Sequence, residues 1–79
     1  MESSFTRVST LDNEELRKLA KEIKKISNAD APANIKQSDL MKELFALEKT
    51  DWNHWGDRFS MVRLAIETEI IFRFTNDKL

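Results

Sequence analysis

The chain has no cysteine, one histidine, one glycine and one proline. Each shortage closes off a class of protein. Without cysteine there is no disulfide framework and no thiolate metal site. A lone histidine, His54, cannot build a zinc centre. One glycine and one proline are too few for the many turns of an all-β fold. An excess of one charge sign is also missing: 13 basic and 14 acidic side chains leave a formal net charge of −1. A dedicated nucleic-acid binder usually carries a basic surplus. No apolar run approaches the roughly 18 residues of a membrane span, and residues 1–10 lack the apolar stretch of a signal peptide. These absences set the expectation of a cytoplasmic protein with no membrane attachment, no bound metal and no cofactor.

Seventy-nine residues are enough for one domain. A chain this short buries a modest share of its surface, and small domains often rely on a disulfide, a metal or a partner chain. The first two are excluded here, so association is the remaining aid. A hydrophobic content of 41% is adequate for a core.

Residues 1–10 are polar and rich in Ser and Thr, and read as a flexible N-terminal arm whose Phe5 and Val8 can dock on the body. Residues 11–79 read as a single helical domain. Asp12 and Glu15 have capping-box spacing, with Leu11 and Leu16 placed as a hydrophobic staple. Leu16, Leu19, Ala20, Ile23 and Ile26 then recur every three or four residues, which predicts a helix near 12–27. Pro32 disfavours helix at Ala31 and marks a turn. A second helix, near 35–48 and capped by Asn34 or Ser38, carries Leu40, Met41, Leu44, Phe45 and Leu47.

A third helix is expected near 52–75, and its pattern is unusual. Ten of the sixteen residues from 59 to 74 are apolar. At about 100° per residue, Phe59, Val62, Ile66, Ile70 and Phe74 fall on one side. Met61, Leu64, Ala65, Ile71 and Phe72 fall on the other. Arg63 with Glu67 and Glu69 with Arg73 are i,i+4 pairs on the two flanks. A strand over 68–74 is the competing reading, but a lone strand has nothing to pair with. The predicted architecture is all-α: a small three-helix bundle with a long C-terminal helix.

The two shorter helices each offer one apolar stripe, so a third helix with two apolar faces needs more cover than they supply. Its end, around Ile70 to Phe74, should overhang them and be covered by a second copy of the chain. The segment 52–59 holds both tryptophans, the histidine and the glycine. Trp and Arg are enriched at binding hot spots, although a Trp ring closing the core end fits the same pattern. The candidate protein interface is therefore Trp52, Trp55, Arg58, Met61, Leu64, Ile71, Phe72 and Phe74. Arg17, Lys21, Lys24 and Lys25 give the first helix a basic outer face, the candidate contact for nucleic acid. His54 beside Asp51 or Asp57 is the one base-and-carboxylate arrangement the chain permits, and no nucleophile motif accompanies it. The expectation is a non-enzymatic protein–protein interaction module, a small regulator, inhibitor or adaptor that self-associates. A DNA- or RNA-binding regulator is the alternative.

Overall fold

A computed structural model describes residues 3–48 and 55–79. Among these residues the chain is all-α, with no strand. Helix α1 spans Ser4–Ser9, α2 Asn13–Ser27, α3 Asp39–Leu47 and α4 Trp55–Thr75, with a 3-10 turn at Pro32–Asn34 between α2 and α3. The long C-terminal helix is present, and helix continues through 68–74. The described residues hold four helices rather than three because residues 4–9, read as arm, are helical.

Six residues cannot hold a helix by hydrogen bonding alone, since nucleation is costly. Tertiary contacts hold α1. Ser3 caps it by accepting the Thr6 N–H. Val8 is wholly buried in the core. The Glu48 carboxylate, at the end of α3, accepts from both the backbone N–H and the hydroxyl of buried Ser4. Arg7 pairs with Glu43 at 2.5 Å. A buried helix start thus has its polar groups satisfied by a neighbour, as such ends require.

Helix α2 follows the sequence pattern closely. Asp12 accepts the Glu15 N–H at 2.8 Å. Leu11 is buried beside it, and Leu16, Leu19, Ile23 and Ile26 form the inward stripe. Glu14 and Glu15 in the first turn and Lys24 and Lys25 in the last complement the helix dipole. Helix α3 starts later than expected, at Asp39. Ser38, not Asn34, is the cap, accepting the Met41 N–H at 3.2 Å. Glu22 of α2 fixes that cap by accepting from the Ser38 N–H at 2.9 Å and its hydroxyl at 2.7 Å.

Helix α4 packs against α1, α2 and α3 on one side. It runs antiparallel to α2: Arg73 bonds Asn13 at the α2 start, while Arg63 shares a cleft with Asn28 at the α2 end. The core consists of Val8, Leu11, the α2 stripe, Met41, Leu44, Phe45, Val62, Ala65 and Ile66. The molecule measures 36 × 30 × 19 Å. A helix with its side chains is about 10–12 Å across, so the thin direction holds two helical layers. Each helix therefore keeps one face toward solvent. No described helix is long and apolar enough to cross a membrane.

Candidate protein-interaction surface

The division of α4 into two apolar faces has a direct structural outcome. Val62 and Ile66 are wholly buried, and Phe59 and Ile70 pack partly against the core. The opposite side is uncovered: Met61 is 37% exposed, Leu64 50%, Ile71 63% and Phe72 51%. One assignment changes. Ala65 lies at the border of the outward face and turns into the core, 1% exposed. Phe74, which shares a side with Val62 and Ile66 on the helical wheel and is among the candidate interface residues, is 71% exposed. Arg73 is level with Asn13, where α2 begins.

The expected overhang takes a different form. The C-terminal end of α4 does not project beyond the bundle. Helix α1 and the Ser9–Asn13 turn cover its inner side, where Arg73 is only 7% exposed. Ile71 and Phe72 are open because of the face they occupy, not because α4 outruns its neighbours.

Both flanking ion pairs form, each with a 2.9 Å contact, but in different surroundings. Arg63–Glu67 is half exposed on both sides, whereas Arg73–Glu69 is almost entirely covered. Arg73 also donates to Asn13 Oδ1 at 2.9 Å, the Leu11 carbonyl at 2.6 Å and the Ser9 carbonyl at 3.4 Å. One guanidinium therefore ties the C-terminal helix to the α1–α2 connection. Position 73 reads as a seam residue from its spacing, and nothing in the sequence separates it from Arg63.

The end of α4 adds a cation to the open face. The Lys78 N–H donates to the Arg73 carbonyl at 2.8 Å and the Asp77 N–H to the Phe74 carbonyl at 3.2 Å. With Asp77 at φ 55°, this is a Schellman turn. It folds the chain back, so the Lys78 carbonyl accepts from Asn13 Nδ2 at 2.7 Å. The Lys78 ammonium then lies 5.4 Å from the centre of the Phe72 ring, within cation–π range. At the other end of the face, Asp57 is exposed in the first turn.

Trp55 serves the core end. It stacks on Phe59 with ring centres 5.1 Å apart and tilts against Phe45 at 5.7 Å. Arg58 is partly buried, and its Nε is enclosed without an acceptor among the described residues. Trp52, His54 and Asp51 lie outside the described residues.

Arg17, Lys21, Lys24 and Lys25 are all exposed on the outer side of α2. Lys18 among them pairs with Glu14 at 3.6 Å, both open to solvent. A cleft of about 360 Å³ lies where α4 meets the α1–α2 turn. Its polar groups Asn13, Glu69 and Arg73 are bonded to one another. No group of three or more His, Cys, Asp or Glu suited to a metal occurs among the described residues.

Comparison with protein-family models, curated proteins and solved structures gives no match. The functional reading therefore rests on surface chemistry.

The size of the open face can be judged. The exposed fractions of Met61, Leu64, Ile71 and Phe72 add to about two whole side chains, and burying one such chain contributes about 1.5–3 kcal/mol. The face thus withholds on the order of 3–6 kcal/mol per chain. A domain of this length has about 4–12 kcal/mol in total, at 0.05–0.15 kcal/mol per residue. The unused burial is comparable to the whole stability.

Proposed function

We propose that this protein is a non-enzymatic interaction module that acts by presenting the outer face of α4 to another protein. The observation that supports it is the uncovered stripe of Met61, Leu64, Ile71 and Phe72 on a helix whose other side completes the core. Contiguous apolar surface of this kind marks interaction sites, and an amphipathic helix face is a common docking element. The roles that fit are those of a small regulator, inhibitor or adaptor in the cytoplasm.

The test is retention of proteins from the native host on the immobilised chain, beside the variants Leu64→Asp and Ile71→Asp. A partner held by the native chain and lost from both folded variants is the expected result. Equal retention by all three refutes the assignment of the face.

The exposed row Arg17, Lys21, Lys24 and Lys25 favours a second reading, a DNA- or RNA-binding regulator. Phosphate contacts release counterions, so such binding weakens steeply with salt. Replacing Lys21, Lys24 and Lys25 by Gln then abolishes the binding and flattens its salt dependence, while Ile71→Asp leaves it unchanged. The reverse pattern belongs to the α4 face.

A further inference from the structure

From the distribution of charge and apolar surface along α4, we infer that the occupant of its open face is a second copy of this chain, packed antiparallel about residue 66. This rests on reading that face as a protein-binding surface, and it specifies the partner.

The spacing comes first. Asp57, Met61, Leu64, Thr68, Ile71 and Thr75 are separated by four, three, four, three and four residues, and all are exposed. This is the 3.5-residue repeat of a helix-to-helix seam. An antiparallel copy centred on residue 66 sets Met61 against Ile71 of the second copy and Leu64 against Thr68. Met61 and Ile71 then meet apolar surface, and Leu64 packs on the methyl side of Thr68.

Charge selects the orientation. The stripe carries a carboxylate, Asp57, at its N-terminal end. At its C-terminal end the Schellman turn brings the Lys78 ammonium back over Phe72. A parallel copy would set Asp57 against Asp57 and Lys78 against Lys78. An antiparallel copy sets each Asp57 beside the Lys78 of the other chain, and also opposes the two helix dipoles favourably. A surface with unlike charges at its two ends is complementary to itself in that orientation alone.

Area is consistent with a dimer of modest strength. A stable interface takes about 800 Å² from each partner. Helix α4, 21 residues long, offers a contact line of about 32 Å at 1.5 Å per residue. The apolar stripe, about two whole side chains of exposed surface, supplies on the order of 300–500 Å² at about 150–250 Å² each. Asp57, Ser60, Glu67, Thr68 and Thr75 border it and provide the polar remainder.

The test is sedimentation equilibrium of the full chain from low micromolar to millimolar concentration, with far-UV circular dichroism as the control for folding. The expected result is a reversible monomer–dimer equilibrium whose dissociation constant rises at least tenfold in Leu64→Asp and Ile71→Asp. Asp57→Lys and Lys78→Glu should each weaken the dimer, and the combined charge swap should recover most of the loss. Orientation is read by adding cysteine to this cysteine-free chain. A mixture of Met61→Cys and Ile71→Cys chains should oxidise mainly to the mixed disulfide. A strictly monomeric mass throughout the range overturns the second copy, and the retention experiment with host proteins then decides the face separately. Preferential self-crosslinking of Ile71→Cys overturns the antiparallel arrangement.

Discussion

Arg73 and Arg63 form a natural matched pair. Each lies on α4, each bonds a glutamate four residues away, and each contact is 2.9 Å. They differ in burial and in what else they hold. Arg63 and Glu67 are both 49% exposed, so their pair should contribute about 0.3–0.5 kcal/mol. Arg73 and Glu69 are 9% and 15% exposed, and Arg73 also satisfies the carbonyl of Leu11 and the amide of Asn13. Removing one partner of a covered pair leaves the other charge stranded and costs about 3–5 kcal/mol. Against a total of about 4–12 kcal/mol, Arg73→Ala should remove about a quarter of the stability or more. Arg63→Ala should be barely detectable. Urea unfolding followed by far-UV circular dichroism, at one fixed low concentration so that association does not intervene, measures both. The double variant Arg73→Met with Glu69→Leu should recover part of the loss, because no unpaired charge remains. If Arg73→Ala and Arg63→Ala fall within about 1 kcal/mol of each other, burial does not distinguish the two pairs. Arg73 then does not anchor α4.

Other perturbations test other parts of the fold. Asp77→Gly should stabilise the chain by about 0.5–1 kcal/mol in thermal unfolding, since glycine takes the left-handed position of the Schellman turn without a Cβ penalty. Loss of stability there would count against the turn. Ser38→Ala should cost about 1 kcal/mol or more, because it removes the α3 cap and the hydroxyl held by Glu22. Arg58→Met should be neutral or slightly stabilising, since it deletes an enclosed Nε that has no acceptor among the described residues. A loss above about 1 kcal/mol would reveal a partner for that guanidinium. Ile66→Ala, at a wholly buried position, should cost about 2–5 kcal/mol, seen as a lowered melting temperature.

Local signals explain the parts of this structure that the sequence makes legible. The Asp12 cap, the Leu11–Leu16 staple, the Ser38 cap and the α2 stripe all depend on neighbours within five residues. So do the two ion pairs of α4 and its division into two apolar faces. The parts that were not legible depend on distant partners. Helix α1 is one case: Phe5 and Val8 have i,i+3 spacing, a signal that was available, but six residues become helix only when Glu43 and Glu48, 36 and 44 residues away, receive Arg7 and Ser4. The contrast between Arg63 and Arg73 is another, because equal spacing says nothing about which flank α1 will cover. Ala65 sits near the edge of a face, where a helical wheel decides weakly. Lys78 reaches the open stripe only through a turn at Asp77, where an aspartate stands in for the usual glycine.

The bond from Arg73 to the Ser9 carbonyl spans 64 residues, and this has a consequence for biosynthesis. At roughly 5–20 residues per second, α1 and the start of α2 wait about 3–13 s for the residue that secures them. Until then Val8, Leu11 and Leu16 lack their α4 neighbours, and the nascent chain shows oily side chains to whatever is close. A chaperone that binds such stretches during translation would find its longest opportunity in that interval, and completion of α4 would end it.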